Sequence, residues 1–179
     1  MHSWRVLILP WLEQKELHDQ YRFDEPWDGP NNSRLANKMP AVFAFHDKTD
    51  HGGITNYLRV VGPGTASPGA TTISNADVSD GTDNTLLIVE NLGAGVNWLE
   101  PRDLPFGSMS FAINDSQGIS SWYANPAGVT VAGMLHKFRV DADVEAVKSL
   151  LTIAGGEDTA AAERSWQALP DGRVRQRVR

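Results

Sequence analysis

The run Thr85–Glu90 (TLLIVE) places the tightest constraint on what this chain can fold into. It follows the turn Ser79-Asp80-Gly81 and is continuously apolar through its middle. That pattern predicts a β-strand covered on both faces, because a run without alternation leaves no side for water. Thr55–Val61 reads as a second strand: it is rich in β-branched and aromatic residues and stops at Gly62-Pro63-Gly64. Val129–Val140 alternates in part and reads as a third, with Val131, Leu135 and Phe138 as core candidates. Ser108–Ile113 is a weaker fourth.

Helical signals lie toward both ends. Pro10 suits the first turn of a helix from Trp11 to Tyr21, with Trp11, Leu17 and Tyr21 on its apolar face and Leu12, Glu16 and Asp19 on another. The turn-rich Phe23–Pro30 (FDEPWDGP) must be irregular. Asn32 or Ser33 caps a short helix to Lys38, which Pro40 ends. Near the C-terminus, Asp141 or Asp143 caps a helix whose stripe is Val144, Val147, Leu150 and Leu151, with Gly155-Gly156 as its stop. Long stretches rich in Gly, Pro and Asn, 62–80 and 91–107, connect the strands. Strands with helices near both ends are an α+β pattern with a small, mainly antiparallel sheet and long irregular loops.

The chain has 179 residues, 41% of them apolar, enough for one domain with a real core. It has no cysteine, so disulfides, thiolate zinc sites and thiol nucleophiles are excluded. The net charge of −6 makes it a poor general binder of nucleic acid. Charge is unevenly spread: residues 160–179 hold five arginines and two acids, so residues 159–179 read as a basic, loosely ordered tail behind a head over 1–158. No stretch approaches the roughly 20 apolar residues of a spanning helix. The longest, Val6 to Leu12, is broken by Pro10, and the N-terminus lacks the layout of a secretory signal.

Several groups could carry chemistry. His46, Asp47, Asp50 and His51 offer imidazoles and carboxylates to a transition metal, but their spacing matches no helical or strand pair. Asp77, Asp80 and Asp83, with Asn84, crowd one turn and supply the oxygen ligands that Ca²⁺ takes. Asp-Gly is also simply a good turn. Trp27, Trp98 and Trp122 lie in Pro/Gly-rich loops, where a ring either stacks on a sugar or peptide or pins its own loop. Glu90, Glu100 and Asp103 could pair for glycoside hydrolysis. No nucleophile elbow, phosphate-binding loop or nucleic-acid module is present.

Several blocks are familiar together. Ser3–Gln14 (SWRVLILPWLEQ), Arg22–Asn31 (RFDEPWDGPN), Thr55–Gly64 (TNYLRVVGPG), Asp80–Glu90 (DGTDNTLLIVE), Trp98–Leu104 (WLEPRDL) and Leu150–Glu157 lie in order along residues 3–158. Together they resemble a large planctomycete family of secreted, pilin-like proteins of unknown function, whose name also hints at solute binding. The resemblance implies a type IV pilin or type II secretion pseudopilin head, placed in the periplasm or at the cell surface. It carries no catalytic residues. Relatives precede the SWRVLILP block with a prepilin helix, which this sequence does not show. They often have a cysteine where Ala41–His46 (AVFAFH) has none, and commonly have Asp-Gly where Ala132-Gly133 stands here.

The expected function is therefore a non-catalytic, extracytoplasmic head that contacts other pilin-like or secretion-system proteins, or a surface polysaccharide. Trp27, Trp98 and Glu100 are its expected contact residues, and no cofactor is expected beyond Ca²⁺ at the aspartates. Its rivals are a carbohydrate-active enzyme or glycan-binding module, and a truncated paralogue without independent function.

Overall fold

Ser3 starts the first helical turn. Its hydroxyl accepts from the Arg5 backbone N–H and caps α1 (Trp4–Leu7). A 3-10 turn, Leu9–Leu12, follows with Pro10 at its start. Glu13 then takes a left-handed conformation, φ 59°, before α2 (Lys15–Gln20). The single helix expected from Trp11 to Tyr21 is thus two pieces, because a left-handed residue cannot continue a right-handed helix. Leu17 and Tyr21 are buried as expected, whereas Trp11 belongs to the 3-10 turn and is 79% exposed. Another 3-10 turn, Asn32–Leu35, stands where a short helix was expected.

The computed structural model describes residues 1–45, 52–155, 164–166 and 176–177. It divides into two compact units, Met1–Tyr57 with Gly95–Arg102, and Leu58–Ala94 with Asp103–Arg179. In the first unit, β1 (Ile54–Thr55) pairs antiparallel with β4 (Val96–Asn97). Its core gathers Val6, Leu9, Leu17, Tyr21, Leu35, Phe43, Trp98 and Leu99. Arg5 is completely buried beside this core, where its guanidinium donates to the Tyr57 carbonyl and to Ser3 Oγ and lies over the Trp4 ring.

The second unit is built on a sheet of β2 (Tyr57–Val61), β3 (Leu86–Glu90), β5 (Leu104–Pro105), β6 (Ala127–Thr130), β7 (Met134–Lys137) and β8 (Gln176–Arg177). Its order is β5-β2-β3-β6-β7-β8. The β3–β6, β6–β7 and β7–β8 pairs are antiparallel and β2–β5 is parallel. The class is α+β with a small, mainly antiparallel sheet. TLLIVE is a central strand, with Leu86, Val89 and Glu90 buried.

The strand expected over Val129–Val140 is instead a hairpin. Gly133, at φ 78°, reverses the chain after β6, a backbone shape open to glycine without strain. The inward residues are consequently Gly128, Thr130, His136 and Phe138, while Val131 and Leu135 are only half-buried. Ser108–Ile113 is no strand; Ser110 makes one isolated bridge to Gly118. Asp143 caps α3 (Val144–Ser149) through the Ala146 N–H. Val147, Leu150 and Leu151 face inward and Val144 does not. Trp166 is buried against His136 and Phe138, with ring centroids 4.2 and 4.8 Å away. Among the described residues, no helix is long and apolar enough to cross a membrane.

Candidate functional site

The expected contact residues do not form a binding face. Trp98 is wholly buried: its ring stacks on Phe43 at 6.3 Å and its indole N–H donates to the Ala36 carbonyl at 3.1 Å. It is a core anchor, closed to any partner. Trp27 is half-buried and packs against the same core. Its loop is irregular but held, since Glu25 accepts from the backbone N–H groups of Asn31 and Asn32 and from the Asn31 amide. Glu100 makes an ion pair with Arg102 at 2.6 Å.

The aspartates do not assemble around a cation. Asp77 closes a capping box with Ser74. Asp80 accepts from the Gly155 backbone N–H at 2.7 Å, and Asp83 points to solvent. Among the described residues, no three His, Asp or Glu side chains come together in a way that could hold a metal ion. The calcium site expected at Asp77, Asp80 and Asp83 therefore has no ligand cluster among the described residues: Asp77 caps its own turn and Asp80 ties that loop to Gly155, just after α3. The pair His46 and His51, with Asp47 and Asp50, lies outside the described residues.

The candidate acids also serve the fold. Glu90 is buried at the end of β3, where it accepts from the Ala127 N–H at 2.7 Å. Burial pushes its carboxyl above the usual range, against the Ala127 N–H, the Ser121 hydroxyl and the nearby Lys137 charge, which favour ionisation. Asp103 accepts from the Arg59 backbone N–H at 3.0 Å. Glu90 and Asp103 belong to the second unit and Glu100 to the first. An open cleft of about 510 Å³ beside α3 is lined by Arg139, Asp141, Asp143, Arg164 and Trp166, among others. Its charges are largely engaged: Arg139 grips Asp141 at 2.7 Å and Asp143 caps α3.

One surface in the second unit is both exposed and firmly built. Trp122 and Tyr123 are 59% and 54% exposed, late in the loop between β5 and β6. The residues just after β3 hold this loop. Asn91 donates its amide to the Ser116 and Gly118 carbonyls, the Leu92 N–H donates to Ser120 Oγ, and the Ser120 N–H donates to the Glu90 carbonyl. Within the loop, Asn114 adopts φ 65°, donates to the Ala124 carbonyl and accepts from the Ser121 N–H. Gly118 packs so closely that a Cβ there would fall on the Ser110 carbonyl. Of these residues the sequence had marked only Trp122 as a loop ring. No local sequence pattern marks the rest, because Asn91 reaches Ser116 and Gly118 across 25 and 27 residues.

Residues 1–71 match a family model described as "Protein of unknown function (DUF1559)". No curated protein and no solved structure matches the chain.

Proposed function

We propose that this chain is a non-catalytic, extracytoplasmic, pilin-like binding domain that holds a partner and transforms none. The partner is another pilin-like or secretion-system protein, or a polymer of the cell surface. The observation that carries the reading is the firmly held loop that turns Trp122 and Tyr123 to solvent. Exposed rings on a rigid support suit binding, since little ordering entropy is lost on contact. The commitment of Glu90 and Asp103 to backbone N–H groups supports the non-catalytic part. The pilin-like and extracytoplasmic parts rest on the sequence blocks from Ser3 to Glu157. The match of residues 1–71 to a family of unknown function adds no role of its own.

The test sediments the full chain with cell-envelope material and assays the supernatant for released fragments. Retention without release, lost in the Trp122→Ala/Tyr123→Ala double variant and kept in Glu90→Gln, supports the proposal. Release of fragments that stops in Glu90→Gln or Glu100→Gln overturns it in favour of a carbohydrate-active enzyme.

A further inference from the structure

We propose that Glu90 is a proton-operated latch on the loop that carries Trp122 and Tyr123: it holds the loop down while it keeps its proton and lets it lift once ionised. This rests on the binding reading above and names the regulation of that site.

Glu90 ends β3, is 7% exposed, and meets groups from three other parts of the second unit. From β6, the Ala127 N–H donates to its carboxylate at 2.7 Å. From the loop, the Ser121 hydroxyl donates to it. From β7, Lys137 acts on it as a charge, and Lys137 lies opposite Ala127 in the hairpin. Ser121 carries the contact onward into the loop. Its oxygen accepts from the Tyr123 N–H at 3.3 Å, and its own N–H donates to Asn114 at 3.2 Å. The Glu90 carbonyl also accepts from the Ser120 N–H at 3.0 Å. One residue thus seats the loop twice, with a main-chain group that does not titrate and with a carboxyl that does. The rest of the seat, Asn91 and Leu92, bonds the loop through uncharged amides.

Dry surroundings disfavour a charged carboxylate, and at Glu90 that effect outweighs the three groups that favour ionisation. An ionised Glu90 therefore gains by reaching water. β6 and β7 resist, because ladder hydrogen bonds hold β6 to β3 and β7 to β6. The loop is tied to the end of β3 by individual bonds, and such a segment opens at lower free energy than a ladder. Lifting it wets the carboxylate and, through Ser121, loosens the backbone that carries Trp122 and Tyr123. Because the folded carboxyl is raised, opening becomes easier as pH climbs from the ordinary carboxylate range to the raised value, and no easier beyond it. The loop is firm in acid and looser above that window.

The experiment follows amide exchange of Ser120, Ser121 and Tyr123 in the full chain from about pH 4 to about pH 8, corrected for the intrinsic pH dependence of exchange. Protection should fall by up to about tenfold per pH unit across the window and then level off, staying below that of the β3–β6 ladder throughout. Glu90→Gln has no proton to lose and should show no such fall. Lys137→Gln removes a charge that favours ionisation, so its fall should extend to higher pH and end lower. That arm decides even if Glu90→Gln folds poorly. A fall that persists in Glu90→Gln, a Lys137→Gln profile identical to the parent's, or loop amides that exchange only as fast as the ladder overturns the latch. Retention on cell-envelope material separates the latch from the reading it rests on. Retention that weakens over the same pH window in the parent, and not in Glu90→Gln, supports both. Retention that needs Trp122 and Tyr123 but ignores pH overturns the regulation and leaves the binding reading in place. If exchange behaves as expected while retention is indifferent to both rings, the latch stands and the binding reading falls.

Discussion

Glu90 offers the sharpest test of how the second unit is held together. Two substitutions at this buried carboxyl separate hydrogen bonding from charge. Glu90→Ala leaves the Ala127 N–H without its 2.7 Å acceptor at the start of β6. A fully buried donor left unsatisfied costs about 1–3 kcal/mol; Ala127 is half-buried, so the loss should lie near the lower end, about 1 kcal/mol, or roughly 2–4 °C in melting temperature for a chain of this size. Glu90→Gln keeps an oxygen for that N–H and removes the charge. Because burial raises the carboxyl's affinity for protons in the folded chain, its ionised form is the disfavoured one. Its stabilising contribution is complete below the ordinary carboxylate range and is lost as pH rises through the raised value. The Gln variant should therefore match the parent in acid and equal or exceed it at neutral pH. Calorimetric melts of the three proteins across that range will decide. If Glu90→Gln falls as far as Glu90→Ala at neutral pH, attraction to Lys137 outweighs desolvation and the reasoning is wrong.

Four further outcomes follow from named contacts. Trp98→Ala should cost about 3–5 kcal/mol in denaturant unfolding, since it empties a fully buried site and strips the Ala36 carbonyl of a donor. Gly118→Ala should cost about 1–3 kcal/mol, because its Cβ meets the rigid Ser110 carbonyl and not a flexible side chain. Arg5→Lys retains the charge but cannot reach the Tyr57 carbonyl and Ser3 together; chemical denaturation should show a loss of about 1.5–3 kcal/mol. Desolvation raises the Glu25 carboxyl, but bonds from Asn31 and Asn32 hold it below the usual range. Its contribution should persist above that range and fade as pH falls, so Glu25→Gln should flatten the acid limb of the stability curve.

Much of the fold was legible where one physical signal acted alone. The continuous run at Thr85–Glu90 became a central strand because it is too short for a helix of its own and follows a Gly-containing turn. The helix cap was legible as one of two aspartates: Asp143 caps α3, while Asp141 is taken by Arg139. Legibility failed where a backbone choice overrode the side-chain pattern. Gly133 divided the long strand into a hairpin and moved the inward set to His136 and Phe138, since reversing the chain resets which residues face the core. Glu13 broke the first helix in the same way, and nothing in its side chain announces a left-handed backbone.

The candidate site was harder to read because exposure is not a local property. Six tryptophans are identical in composition terms, yet Trp98 is wholly buried and Trp122 is 59% exposed. The difference lies in what comes back to meet each ring. Phe43 and the Ala36 carbonyl, more than fifty residues away in sequence, close over Trp98. Around Trp122 the long-range partners instead grip the backbone: Asn91 holds Ser116 and Gly118, and Glu90 holds Ser120 through its carbonyl. Distant contacts thus bury the Trp98 ring and anchor the main chain that precedes Trp122, and neither outcome can be read from the residues next to the ring. If this account is right, Asn91→Ala should speed amide exchange at Gly118, Ser120 and Ser121 while leaving that of the first unit unchanged. Uniform exchange across both units would show that Asn91 stabilises the whole protein and does not act through the loop.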